Sequence, residues 1–176
     1  MSTASEGPTD GVWCIVVAAG SGRRFGAPKQ FERIGDERVV DRSVRIAASV
    51  CDGVVLVLPS AAASEVVEHA TVTVAGGATR SESVRRGLDR VPPDAIVLVH
   101  DAARPLASPD LFERIIAAVR DGAAAAVPVI AVADTIRDVD GGVVDRDRLR
   151  AVQTPQGFDG AALRSAHAGA PEGTDD

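Results

Sequence analysis

Three continuous apolar runs limit what this chain can become: Val12-Trp13-Cys14-Ile15-Val16-Val17, Gly53-Val54-Val55-Leu56-Val57-Leu58 and Ala95-Ile96-Val97-Leu98-Val99. Each is too short for a helix and apolar at successive positions, so each reads as a strand covered on both faces. Thr71–Ala75, ending in Gly76-Gly77, and Ala123–Val132 read as further strands, with Pro128 placing the last at an edge or irregular position. Between them lie helical patterns. Val39–Val50 puts Val40, Val44, Ala47, Ala48 and Cys51 on one face, and Ala63–His69 reads as a short helix. Ser81–Val91 buries Val84, Leu88 and Val91, and Ser108-Pro109-Asp110 is a helix start leading to the stripe Leu111, Ile115, Ala118, Val119 before Gly122. Alternating doubly buried strands and helices predict a mostly parallel sheet covered by helices, an α/β sandwich.

The alternation breaks at Asp134. Thr135–Arg146 reads as a polar hairpin turning at Gly141-Gly142, a protruding arm suited to gripping a second subunit. Phe158–Ala168 reads as a last helix. Met1–Gly11 is small and polar, without the basic start and apolar core of a signal peptide, and reads as a disordered leader.

With 176 residues, the expectation is one domain with a sizeable core. A net charge of −6 and 3% aromatics argue against nucleic-acid or anionic-membrane partners, and no apolar run approaches a membrane span. Cys14 and Cys51 lack metal or redox spacing and read as buried thiols of a cytoplasmic protein.

Against the acidic balance stands Ala18-Ala19-Gly20-Ser21-Gly22-Arg23-Arg24-Phe25-Gly26-Ala27-Pro28-Lys29-Gln30, directly after the first strand. It holds three cations and no acid, and Lys29 is the only lysine in the chain. The loop admits two readings, a polyphosphate cradle or a solvated charged loop. It lacks a Gly-Lys pair, which excludes a Walker A loop, and its glycines are spaced one residue too long for a dinucleotide fingerprint. In a parallel α/β sheet ligands sit at the carboxyl ends of the strands. There this loop meets Gly76–Ser83, Asp101–Pro105 and Asp134-Thr135. Asp101 ends its strand either as a partial Mg²⁺ ligand or as a turn cap, and a lone His100 is ordinarily structural. Ser21, Ser81 and Ser83 have no histidine in motif range, so a hydrolase triad is unsupported.

Ala18-Ala19-Gly20-x-Gly22-Arg23-Arg24 with Pro28-Lys29-Gln30, Gly76-Gly77-x-x-Arg80-x-x-Ser83-Val84-x-x-Gly87-Leu88, Val99-His100-Asp101-Ala102-Ala103-Arg104-Pro105, Asp134-Thr135, Asp145-Arg146, Thr154-Pro155-Gln156 and Thr174-Asp175 occur in order. Together they resemble the 2-C-methyl-D-erythritol 4-phosphate cytidylyltransferase family. The resemblance implies a Rossmann-like nucleotidyltransferase domain over residues 12–176 with a β-arm at about 134–150, and a homodimer. It implies cytidylyl transfer from CTP to a polyol phosphate, with Mg²⁺ on the triphosphate beside Asp101. Arg24 and Lys29 would stabilise charge on the α-phosphate. Ala18, Ala19, Gly20, Gly22, Gly77, Ala78, Arg80 and Ser83 would hold the nucleotide. Asp101, Ala102, Arg104, Thr135, Arg146 and Thr174 would hold the acceptor, with Thr135 and Arg146 reaching into a partner subunit. Ribitol 5-phosphate is the competing acceptor, and an inactive nucleotide-binding paralogue the non-enzymatic alternative. Family members continue past Thr174-Asp175 into a strand and helix that this sequence does not contain, so the resemblance implies an absent closing element.

Overall fold

The computed structural model describes residues 11–20 and 28–169. In chain order these residues form β1 (Val12–Val17), β2 (Arg33–Ile34), β3 (Glu37–Arg38), α1 (Val39–Ala48), β4 (Gly53–Leu58) and β5 (Val72–Ala75). Then come α2 (Arg80–Leu88), β6 (Ile96–Asp101), α3 (Pro109–Arg120), β7 (Ala125–Ala126), β8 (Val129–Ala131), β9 (Ile136–Arg137) and β10 (Val143–Val144). β11 (Arg150–Val152), β12 (Gln156–Asp159) and α4 (Gly160–Gly169) follow.

The main sheet has the order β5-β4-β1-β6-β12-β7. The first four strands run parallel, and β12 lies antiparallel to both of its neighbours. The period of two in a strand sorts their side chains to opposite faces. Cys14, Val16, Val54, Leu56, Leu58 and Leu98 face α1 and α3, where Val40, Val44, Ala47, Phe112, Ile115 and Ile116 are buried. Ile15, Val55, Val57, Val97 and Val99 face the other way, onto Val84 and Leu88 of α2 and Leu163 of α4. Each fully buried Val or Leu stabilises this arrangement by about 1.5–3 kcal/mol. The sandwich predicted from the apolar runs is therefore the observed fold.

The helix starts follow the predicted chemistry. Ser108 accepts a hydrogen bond from the Leu111 amide at 3.3 Å, with Pro109 in the first turn. In α3 the buried stripe is Phe112, Ile115, Ile116 and Val119, with Leu111 and Ala118 only half-buried, so it is rotated from the predicted set.

Three expectations are corrected. Residues 63–69 are not a helix: a single 3-10 turn at Ser60–Ala62 is followed by irregular chain. Seven residues containing the β-branched pair Val66-Val67 gain too little to offset helix nucleation. Val67 instead inserts alone into the core while Val66 points to solvent, and His69, with φ +68°, reverses the chain into β5. Second, the expected strand at 123–132 is split at Pro128: β7 closes the main sheet, and β8 leaves it to pair with β11. Third, Phe158 is not helical but lies in β12 opposite Val97, and the last helix begins at Gly160.

The polar hairpin is present. β9 and β10 pair antiparallel, and the Asp138 carboxylate accepts from the Gly142 amide at 2.9 Å across the turn. Among the described residues no helix is long and apolar enough to cross a membrane. The proposed leader, and any C-terminal element beyond Gly169, lie outside the described residues.

Candidate active site

The sheet order reverses direction at β1. Chain leaving β1 passes through α1 to β4 on one side, whereas β6 lies on the other, so a crevice opens above the carboxyl ends of β1 and β6. It is a cavity of about 610 Å³ bounded by Ala18, Ala19 and Gly20 after β1, Gly77, Thr79, Arg80 and Ser83 around the start of α2, and Asp101, Ala102 and Arg104 after β6. Three of the four predicted loops therefore converge, and Asp134-Thr135 does not line this cavity.

The first loop is tied down by its backbone. The Ala18 amide donates to the Val57 carbonyl at 2.8 Å and the Ala102 amide to the Val17 carbonyl at 3.0 Å. Gln30 donates through Nε2 to the Gly20 carbonyl at 3.1 Å, holding the two described ends of the loop together. The Gly76–Ser83 loop approaches so closely that a Cβ at Gly76 would stand 2.3 Å from the Ala19 Cβ. Thr79 caps α2 by accepting from the Glu82 amide at 3.1 Å, and Glu82 reaches back to the Ala78 amide at 2.7 Å. That backbone bond, followed by the Arg86 guanidinium, holds the Glu82 carboxyl below its usual range. Ser83 Oγ accepts from the Gly77 amide at 3.0 Å and donates to the Thr79 carbonyl at 2.9 Å. The Gly77 and Ala78 amides, assigned to the nucleotide by resemblance, are thus engaged by Ser83 and Glu82 within the loop.

Asp101 sits between two guanidiniums. Arg80 reaches its Oδ1 at 3.2 and 3.3 Å, and Arg104 Nε stands 3.6 Å from Oδ2. The turn carrying Asp101 is clamped from three directions. Ser43 of α1, fully buried, donates to the Ala102 carbonyl at 2.9 Å; Arg42 donates to the Pro105 carbonyl at 2.9 Å; Thr154 Oγ1 accepts from the Asp101 amide at 3.2 Å. Gln153 Oε1 accepts from Arg104. Thr154, Gln153, Gln30 and Thr79 were not among the predicted site residues. Gln30 and Thr154 stood inside quoted motifs, which was the signal available.

A divalent cation at this site would find one carboxylate, Asp101, and among the described residues no cluster of three potential ligands. That donor set fits Mg²⁺, which keeps waters and takes phosphate oxygens beside one or two protein carboxylates.

His100 is structural. It is buried, it lies edge-on to Phe112 with ring centroids 5.1 Å apart, and its Nδ1 is 3.0 Å from Thr154 Oγ1. Burial pushes its pKa down to about 4, with the Arg104 charge adding to the shift and Asp101 opposing it. Between pH 6.5 and about 4 the unfolded chain binds a proton here that the folded chain refuses, so stability falls as pH drops through this window. Lowering pH from 6.5 to 4.5 is expected to cost roughly 2–3 kcal/mol of unfolding free energy in urea titrations. His100→Gln should flatten that slope, and an unchanged slope would remove His100 as its source.

A second cavity of about 560 Å³ adjoins the first through Ala103 and Arg104. Lys29, Arg104, Gln153 and Thr154 line it beside an apolar wall that includes Val39, Leu106 and Leu111. Lys29, assigned to the α-phosphate by resemblance, thus faces this neighbour cavity. Thr135 and Arg146 line neither cavity; Arg146 donates to the Ala133 carbonyl within the arm. Gly22, Arg24 and Thr174 lie outside the described residues.

Comparison with known proteins accords with this geometry. Residues 12–176 match the family described as IspD, 2-C-methyl-D-erythritol 4-phosphate cytidylyltransferase. The chain is 44% identical over 179 residues to the protein of that name from Streptomyces coelicolor, covering 87% of this chain and 66% of that protein. It is 41% identical over 187 residues to the protein of the same name from Nocardia farcinica, covering 98% and 81%. The crystal structure of the Thermus thermophilus cytidylyltransferase superposes with TM-score 0.76 at 36% identity, over 91% of this chain and 75% of that one. The bifunctional IspDF from Campylobacter jejuni superposes with TM-score 0.80 at 28% identity, over 93% and 45%. With the motif series in order and the loops converging on one crevice, this chain belongs to the 2-C-methyl-D-erythritol 4-phosphate cytidylyltransferase family.

Proposed function

We propose that this chain transfers a cytidylyl group from CTP to 2-C-methyl-D-erythritol 4-phosphate, releasing pyrophosphate, a step in isoprenoid precursor synthesis. The observation that carries the reading is the pair of adjoining cavities sharing Arg104, one bounded by the small residues Ala18, Ala19, Gly20 and Gly77 with Arg80 and Asp101, the other by Lys29 and apolar side chains. The first suits a nucleoside triphosphate, whose phosphates need close backbone approach and cations. The second suits a compact phosphate whose carbon skeleton bears a methyl branch.

In this reading an acceptor phosphate oxygen attacks the α-phosphorus in line, and the β,γ-pyrophosphate leaves. The protein's part is positioning and fixed charge. Lys29 and Arg24 stabilise the charge growing on the α-phosphate oxygens, and Arg80 and Arg104 hold phosphate as they give up Asp101. A bound Mg²⁺ would neutralise the triphosphate and would be held through Asp101 together with phosphate and water.

The active form we infer is a cytoplasmic homodimer. Val139 and Val143 of the arm, and Val129, Ile130 and Val152 of the β8–β11 pair beside it, are exposed, and an apolar set of this kind favours a second copy. Thr135 and Arg146, unused in their own cavities, would then serve the partner's acceptor.

The test is pyrophosphate release from CTP and Mg²⁺, measured with methylerythritol phosphate, with ribitol 5-phosphate and with no acceptor, on protein whose mass in solution is read by light scattering. Release dependent on the methylated acceptor, from a dimer, is expected. Preference for ribitol 5-phosphate would reassign the acceptor. CTP binding without release would leave a nucleotide-binding protein.

A further inference from the structure

Behind the wall of the first cavity stands an ion pair that lines neither it nor its neighbour. Glu82 and Arg86 lie one turn apart on α2 and face a separate hollow of about 470 Å³ between α2 and α4. From there they reach the backbone of Gly76–Ala78. Arg86 Nη1 donates to the Gly76 carbonyl at 2.7 Å and to the Ala75 carbonyl at 3.4 Å, and its Nη2 donates to Glu82 Oε1. Glu82 Oε2 accepts from the Ala78 amide at 2.7 Å. Gly76 carbonyl, Arg86, Glu82 and Ala78 amide thus close a ring around Gly77. The Glu82 side chain lies so near Gly77 that a Cβ there would overlap it. On the cavity side, Ser83 holds the Gly77 amide at 3.0 Å.

We propose that Glu82 and Arg86 are positioning residues for the nucleotide, holding Gly76–Ala78 in its binding conformation from outside the cavity. The role rests on the reading of the first cavity as the nucleotide site; the stiffening of the segment does not. Two successive glycines give a segment wide conformational freedom. A ligand that needs one conformation binds more weakly in proportion to the fraction of time the segment spends there. Fixing the carbonyl before Gly77 and the amide after it raises that fraction with no contact to the ligand. Both side chains are partly exposed, and an i,i+4 pair of this kind adds little to helix stability by itself. Its consequence therefore falls on the segment it ties. The guanidinium fork suits the task because it serves a carbonyl and a carboxylate at once, which an ammonium does less well.

The test reads amide hydrogen exchange by NMR on the ligand-free full chain, beside calorimetric CTP titration and steady-state kinetics. Arg86→Ala is expected to speed exchange at the Ala78 amide, which Arg86 does not touch. Glu82→Ala should speed it further, and the double variant should match Glu82→Ala, because Arg86 acts on that amide through Glu82. The dissociation constant and KM for CTP should rise about tenfold, as for a segment competent a tenth of the time. At saturating CTP, kcat and the KM for the acceptor should stay within about twofold, and Tm should fall by no more than about 4 °C. Glu82→Gln, which keeps an oxygen for the Ala78 amide, should recover most of the CTP affinity, and Arg86→Lys less. A large fall in Tm with both KM values rising together would make the pair an ordinary stabilising contact and overturn the proposal. Unchanged Ala78 exchange in both alanine variants would overturn the ring, and faster exchange with unchanged CTP affinity would overturn the positioning role. If the unaltered chain binds no CTP, the nucleotide reading fails and the positioning role with it, while the exchange rates still decide the ring.

Discussion

Lys29→Ala is expected to lower kcat by about 10²–10³ while changing the dissociation constant for CTP only a few-fold. The size is that of removing one fixed charge from the oxygens that become more negative in the transition state. The split between kcat and affinity follows from where the side chain stands. Lys29 lines the cavity assigned to the acceptor and not the one assigned to the nucleotide, so in the proposed reaction it would meet the α-phosphate where the two substrates approach. It sits exposed on a 3-10 turn whose buried residue is Gln30. Rapid-quench turnover beside calorimetric CTP titration separates the terms. An equal loss in both would make Lys29 an ordinary binding cation.

The second large effect is expected at Gly76, which touches no substrate in this reading. A methyl group there would fall 2.3 Å from the Ala19 Cβ, 3.0 Å from Ser83 Oγ and 3.3 Å from Val57 Cγ1. Ala19 cannot turn aside because its Cβ is fixed by the backbone, so the Ala18–Gln30 and Gly76–Ser83 loops must separate. Overpacking of this kind costs about 1–3 kcal/mol. The same separation widens the cavity assigned to the nucleotide, and a displacement near 1 Å at a reacting centre is worth roughly 10² in rate. Gly76→Ala should therefore lose both unfolding free energy in urea and kcat/KM for CTP. A variant that keeps both would mean the loops have slack that the contact distances deny.

How much of this was legible in the sequence depended on how local each signal was. β1, β4 and β6 were plain because both faces of a central parallel strand are buried, which writes apolar residues at consecutive positions. The start of α3 was equally plain, since Ser108 and Pro109 act within a single turn. β12 was not. It has four residues, among them Gln156 and Gly157, and belongs to the sheet because β6 offers it a partner and because α3 packs so closely that a Cβ at Gly157 would meet Ile115 at 2.4 Å. Such a strand is made by tertiary context, and its own residues carry no apolar pattern. The same holds for Val66 and Val67, adjacent and alike, of which the core takes only one. At the site, loop positions were legible from polar residues at strand ends. The clamps on Asp101 were not: Ser43 comes from a distant element and looks in sequence like an ordinary small polar residue, and the motif that contains Thr154 does not say which turn it holds.

The place of β12 also bears on how the chain is made. Parallel pairing of β5, β4, β1 and β6 can be completed as soon as Asp101 has emerged, but the far side of β6 is then an open row of amides and carbonyls. It stays open through synthesis of α3 and the whole arm, until Gln156–Asp159 arrives to pair with it. A nascent chain therefore displays a sticky β6 edge alongside the apolar valines of the arm, in the interval when neighbouring copies on one messenger are close together. Slowing translation across the arm should worsen aggregation, and a chaperone that shields strand edges should act before Asp159 rather than after release.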